Sequence, residues 1–261
     1  MIRKPAVAGM FYPKEKEALQ KMLVSFFRNA QQDKPFQEKI KNIKTDNIHG
    51  LIVPHAGYTY SGRTAAYAYS LLKKIKPKKI LLLGPNHTVP LSGISFADYE
   101  AWETPLGNVK TIVEAFPAPF VLPNNQAHLK EHCLEVQLPF LQHLFQNFQI
   151  APAVVGELAE NEIKSFAQLI TEKFADYFII ISTDLSHYLS QNAAEKEDKQ
   201  TIKSIINLNH TNLNACGRFP LRIAIELYRL NHWQPRLLHY TTSAEASGDT
   251  SRVVGYASLF F

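Results

Sequence analysis

The chain has 261 residues, 46% of them hydrophobic and 20% charged, the balance of a globular protein with a substantial core and not of a disordered or collagen-like chain. The net charge of +5 is spread along the chain instead of gathered into a tail, so nucleic acid is not expected as a partner. Two cysteines exclude a disulfide scaffold, the Met1-Ile2-Arg3-Lys4-Pro5 start is no signal segment, and no apolar run approaches the ~20 residues of a spanning helix; a cytoplasmic protein away from the membrane is expected.

In chain order, the apolar spacing predicts a helix over Lys14 to Asn29, then a polar, lysine-rich surface connection over Gln31 to Asn47 that reads as mobile. A strand at Gly50 to Pro54 leads into a helix over Gly62 to Lys74, whose basic end, continuing to Lys79, suits the negative end of a helix dipole. Next come a strand at Lys79 to Leu83, a rigid rim loop at Trp102 to Gly107, and a helix over His132 to Phe145. Strands at Gln149 to Val155 and Tyr177 to Ser182 alternate with helices over Glu160 to Phe174, Asn192 to Asn207 and Leu221 to Leu230. Strands at Pro235 to Tyr240 and Val253 to Phe260 close the chain. The runs Leu51-Ile52-Val53, Ile80-Leu81-Leu82-Leu83 and Phe178-Ile179-Ile180-Ile181 read as strands buried on both faces, which predicts a three-layer α/β/α sandwich with a mostly parallel or mixed central sheet. No break after Asn47 divides the chain, so a single domain over residues 1–261 is expected.

Ligands of open α/β sheets bind at the carboxyl ends of the strands, and four predicted exits carry His, Asp or Glu. Pro54 leads into His55, and Gly84-Pro85-Asn86 leads into His87. If these two strands are neighbours, ~4.8 Å apart, the two imidazoles converge and suit one metal ion with an open coordination position. Asp184 and His187, spaced Asp-x-x-His after a strand, suit a base with an orienting carboxylate or a further ligand. His132 and Glu135, three apart on a predicted helix with His128 a turn upstream, would share one face and one ligand. The segment Gly57 to Gly62, with Tyr58 and Tyr60, suits an anion-binding turn. Cys216 and Arg218 precede a helix, where a thiol pKa tends to fall and the guanidinium can hold a carboxylate or phosphate. Tyr58, Tyr60, Asn86, Cys216 and Arg218 are thus the candidates for contact with substrate, while Cys133 reads as core.

Together, Pro54-His55-Ala56-Gly57-Tyr58-Thr59-Tyr60-Ser61-Gly62, Leu83-Gly84-Pro85-Asn86-His87, Glu103-Thr104-Pro105-Leu106-Gly107, the stretch Glu131 to Pro139 and Ser182-Thr183-Asp184-Leu185-Ser186-His187 resemble the Memo family, whose prokaryotic members are called AmmeMemoRadiSam system protein B. The resemblance runs from Ala6 to Ala257 and implies the LigB-like fold of the class III extradiol dioxygenases. It also implies that His55 and His87 bind a redox metal, iron or copper, with zinc as a further possibility. The family cysteine that completes the ligand set in the animal member matches Ala246 here, and the adjacent Glu245 would give the two-histidine, one-carboxylate set of non-haem iron, with Asp184, Asp249 and His187 as rivals.

Two functions are carried forward. The first is a metal-dependent oxidoreductase, dioxygenase-like, in which His132, Glu135, Asp184 and His187 serve as acid/base or supporting groups toward a small-molecule substrate; metal-assisted hydrolysis fits the same residues. The second is a non-catalytic binding module or adaptor for a peptide, with AMMECR1-like and radical SAM proteins as the partners that the family name implies.

Overall fold

The structure, a computed structural model, describes residues 1–112 and 118–261. The strands among these residues are β1 (Ile2–Arg3), β2 (Gly50–Val53), β3 (Lys79–Pro85), β4 (Ile94–Phe96), β5 (Ala101–Thr104) and β6 (Gly107–Thr111). They continue as β7 (Gln149–Val155), β8 (Phe178–Ser182), β9 (His187–Leu189), β10 (Arg236–Thr242) and β11 (Val253–Phe260). The helices are α1 (Lys16–Gln32), α2 (Lys34–Ile40), α3 (Tyr58–Ser70), α4 (Asn125–Leu129), α5 (Leu138–Leu144), α6 (Glu160–Lys173), α7 (Gln191–Ile206), α8 (Arg218–Asn231) and α9 (Ala244–Ser247).

The sheet runs β1-β5-β6-β7-β3-β8-β2-β11-β10. Its centre, β6 to β2, is parallel, and β11 and β10 add antiparallel strands at one side. Alternation along the central strands splits their side chains between two cores. Leu51, Val53, Ile80, Leu82 and Ile180 pack on one face with Leu23 and Phe27 of α1, Ala65 of α3 and Phe140 of α5. Ile52, Leu81, Leu83, Ile179 and Ile181 pack on the other with Phe166 of α6, Ile205 of α7 and Ile225 of α8. A mixed sheet covered by helices on both faces makes a three-layer α/β/α fold. No helix is long and apolar enough among the described residues to cross a membrane.

Four sequence expectations are corrected. β2 and β3 are not neighbours, because β8 crosses over and pairs with both. The stretch over Gln31 to Asn47 is not all connection. Asp33 caps α2 by accepting from the Phe36 amide, Pro35 sits in the first turn, and the buried Phe36 ring meets Tyr67 edge-on. The helix expected from His132 shrinks to a single 3₁₀ turn at Glu135–Gln137 followed by α5, so the shared-face argument for His132 and Glu135 fails. The rim loop at Trp102 to Gly107 is a β5–β6 hairpin with Thr104 opposite Gly107, and Trp102 is fully buried beneath the Arg3 guanidinium, 4.1 Å from its ring centre.

Candidate metal centre

β2, β3 and β8 end at the same edge of the sheet, and each exit contributes to one hollow of about 500 Å³. His55 follows β2 through Pro54, and its backbone amide donates to Asp184 Oδ1 at 2.8 Å. His55 Nδ1 meets Ser182 Oγ at 2.9 Å. The Ser182 hydroxyl spends its proton on the Cys133 carbonyl at 2.7 Å and accepts from Gln137 Nε2 at 2.9 Å. Gln137 is itself oriented, because its Oε1 takes the Tyr69 hydroxyl. The only role left at His55 Nδ1 is to donate, which leaves the Nε2 lone pair facing the hollow. Burial pushes the His55 pKa down to about 3, with the nearby His87 in the same direction, so the ring is a neutral donor.

His87 lies just beyond β3 and is held by Glu131. The carboxylate takes the His87 amide at 2.7 Å and Nδ1 at 2.9 Å, and its Oε1 also takes the amides of His132 and Cys133. Burial of Glu131 opposes ionisation, but the His87 bond, the neighbouring histidines and the Cys133 amide outweigh it and bring its pKa down to about 2. A fixed anion on Nδ1 again directs Nε2 outward, the usual support for a metal-binding imidazole. The Glu131 segment is anchored by Arg3, which donates to the His128 carbonyl at 2.7 Å, the Glu131 carbonyl at 2.6 Å and Glu135 Oε2 at 2.6 Å.

The third group is Cys216. Its Sγ stands 3.2 Å from His55 Nε2 and accepts the Asp184 amide at 3.3 Å. Gly217 makes this approach possible: a Cβ there would sit 2.5 Å from Thr183 Oγ1, the atom that takes the Gly217 amide. Ligand atoms of His55, His87 and Cys216 all lie within 4.8 Å of one another. The expected fall in the Cys216 pKa is overturned, since burial, and then Asp184, push it up to about 12. A neutral, half-buried thiol beside a buried neutral imidazole forms no ion pair, whereas a cation between them stabilises the thiolate and uses both lone pairs. Two imidazoles and a thiol around an open hollow fit a metal ion.

Around this trio, His132 lies over His87 with ring centres 4.8 Å apart and meets His55 edge-on at 5.4 Å. Burial lowers its pKa to about 4. Asp184 Oδ2 is 4.0 Å from His55 Nε2, and burial raises the pKa of this carboxyl. His187 donates Nδ1–H to the Leu185 carbonyl at 2.8 Å and lines the hollow with Phe11 and Tyr188.

Other candidates stand elsewhere. Glu245 pairs with Arg63 and is not among the donors grouped with His55 and His87, whereas Cys216 is. Asp249, its rival, is exposed and holds Ser251. Glu135 is fully buried against Arg3 and also takes the Ala6 and Val7 amides and the Tyr12 hydroxyl, which makes it a clasp for the N-terminal segment and not a partner of His132. Tyr58 is buried with its hydroxyl spent on the Val136 carbonyl. The Tyr58 amide goes to the Phe11 carbonyl, so the expected anion-binding turn lacks its first donor. Tyr60 is exposed, and Asn86 and Arg218 line an adjoining hollow.

Glu131 and Phe11 were missed as site residues. Only Glu131, beside His132, carried a readable signal, a carboxylate next to a histidine at a polar break. Tyr188 at φ 61° was also missed; a bulky side chain in the left-handed region is rare and gathers at functional sites.

The family model for Memo-like proteins matches residues 3–260. A MEMO1 family protein of Aquifex aeolicus is 38% identical over 280 residues, covering 100% of this chain and 99% of the relative. One of Methanobrevibacter smithii is 37% identical over the full length of both chains, and one of Methanothermobacter thermautotrophicus is 37% identical over 99% of this chain. With a family model spanning nearly every residue and relatives matched from end to end, the chain belongs to the Memo-like family.

Proposed function

We propose that this chain is a metal-dependent oxidoreductase acting on a small molecule, with iron as the first candidate for its metal and copper or zinc as the rivals. The observation that carries the reading is the convergence of three donor atoms, from His55, His87 and Cys216, within 4.8 Å at the edge of an open hollow. Bound there, such a metal would supply an electrophilic centre and, as iron or copper, a one-electron redox centre. The protein's part is positional. Ser182 and Glu131 hold the two Nδ1 protons so that both Nε2 lone pairs stay available. His132 and His187, on the walls of the same hollow, are the proposed groups for accepting or returning a proton, and Phe11 and Tyr188 line it beside them.

The thiol favours soft-ligand metals more than the carboxylate expected at that position would, which brings copper closer to iron than the sequence suggested. A free thiol in the ligand set also suits a reducing compartment such as the cytoplasm. The adaptor reading is weaker, because imidazoles held by hydrogen bonds on their far sides, one of them buried, are costly to build for a surface that only docks a partner.

The test is anaerobic purification and elemental analysis of the parent protein and of His55→Ala, His87→Ala and Cys216→Ala. About one metal per chain in the parent, lost in each variant, supports the proposal. A parent protein that holds none after exposure to Fe(II), Cu(I) and Zn(II) ends it, and retention by Cys216→Ala alone removes the thiol from the ligand set.

A further inference from the structure

The carboxyl ends of β3 and β7 open onto a second hollow, of about 740 Å³, that shares the Cys216 wall with the metal hollow. Its size is that of a site for a small organic ligand. Along the edge of the sheet the two hollows are successive: the first lies beyond β2, β8 and β3, the second beyond β3 and β7.

The second hollow is lined by one cation, Arg218, and by polar and apolar groups in about equal measure. Arg218 projects from the first turn of α8, its guanidinium 4.9 Å over the Phe219 ring. Its ion-pair contact is with Glu157, at 3.9 Å and with the carboxylate side chain 81% exposed, a weak surface pairing that leaves the guanidinium free to take another anion. The neighbouring Arg222, by contrast, is committed to Glu160. Leu91, Val155 and Phe219 supply apolar wall. Asn86 donates Nδ2–H to the Val89 carbonyl, which fixes the orientation of the amide and leaves Oδ1 with no partner.

We infer that this hollow binds a small organic carboxylate with an apolar or planar body. Arg218 takes the carboxylate, and Leu91 and Phe219 cover the body. Glu157, which lines the same hollow 3.9 Å from the guanidinium, repels a second negative charge, which favours a carboxylate over a phosphate monoester. For the role of the ligand's other end, directed past Cys216 toward His87, the inference rests on the metal-centre reading; for binding itself it does not.

The experiment is ligand-observed NMR on the full-length, metal-free protein with benzoate, benzamide and phenyl phosphate, repeated on Arg218→Gln, Leu91→Trp, His87→Ala and the control Lys78→Gln, an exposed charge at the amino end of β3. Benzoate is expected to bind in preference to the other two, to weaken roughly ten- to hundredfold in Arg218→Gln, as loss of a charge-assisted bond implies, to be excluded by Leu91→Trp, and to be unchanged in Lys78→Gln. Equal binding of benzamide, a preference for phenyl phosphate, or full binding to Arg218→Gln overturns the inference. His87→Ala separates the two readings. Benzoate binding kept while metal is lost supports both, no benzoate binding in a parent that holds metal sinks only this one, and benzoate binding in a parent that holds no metal sinks only the metal centre.

Discussion

Cys216 Sγ and His55 Nε2 stand 3.2 Å apart although 161 positions separate them in the chain. Each is neutral where it stands, the thiol pushed up to about 12 and the imidazole down to about 3 by burial. Metal capture must then expel the thiol proton. Calorimetric titration of the metal-free protein with Zn(II) at pH 7, in buffers of different ionisation enthalpy, is expected to report about one proton released per metal. Apparent affinity should rise close to tenfold per pH unit while the thiol is the group being displaced. Cys216→Ser should release no such proton, and a parent that binds zinc without proton release would show that the sulfur is not a ligand.

Ser182 is expected to matter as much as a residue that never touches metal can. Ser182→Ala removes the oxygen that holds the His55 Nδ1 proton and leaves Gln137 Nε2 its bond to the Pro54 carbonyl. The fold should survive, while metal affinity, measured by chelator competition, falls roughly 10- to 100-fold. Glu131→Gln should give a loss of similar size through His87.

How much of this was legible in the sequence follows from what each feature depends on. The central strands were readable because branched apolar runs such as Ile80-Leu81-Leu82-Leu83 have one cheap solution, a strand covered on both faces. His55 and His87 were readable because each follows such a run through a proline, although the assumed adjacency of their strands was wrong and β8 lies between. Cys216 was seen only as a helix-start thiol. Its approach to His55 depends on Gly217 packing against Thr183, a contact between distant segments that leaves no local pattern. Glu135 failed for the opposite reason: a local pattern, His-x-x-Glu, suggested a helical face, but Arg3 at the far N-terminus claims the carboxylate. α2 was overlooked because seven residues with one buried Phe carry too little periodicity to stand out from a lysine-rich stretch.

Arg3 and Glu135 form an ion pair with both side chains fully buried. Removing one partner leaves the other charged and desolvated, so Glu135→Ala should cost about 3–5 kcal/mol in chemical denaturation. Metal stoichiometry in the variant that remains folded should match the parent, since Glu135 is not among the grouped donors. A stable Glu135→Ala protein with lost metal would restore the site role that the structure denies it.

Gly217→Ala is expected to act on the centre from outside it. The added methyl meets Thr183 Oγ1 at 2.5 Å and Thr183 Cβ at 2.6 Å, so the Cys216 loop must move away from β8. Overpacking of this kind costs typically 1–3 kcal/mol. Zinc affinity should fall with the stability, and proton release on binding should drop below that of the parent, because the sulfur no longer reaches His55. Unchanged affinity and release would mean that the loop position does not set the thiol contact.

His128 offers a pH test away from the donor atoms. It is fully buried, donates Nε2–H to the Ser95 carbonyl at 2.9 Å, and its Nδ1 has no partner. Burial lowers its pKa from 6.5 to about 4, so the folded protein resists a proton that the unfolded chain accepts. Stability from this group is therefore fully present above pH 6.5 and is lost as the pH falls toward 4, by roughly 3 kcal/mol at the limit. Other buried histidines act in the same direction, so the difference between proteins isolates this one. His128→Asn keeps an N–H donor for Ser95 without a titrating ring, and its denaturation free energy should fall less steeply than the parent's between pH 6.5 and 4. Parallel profiles for parent and variant would mean that His128 takes up its proton inside the fold as readily as outside it.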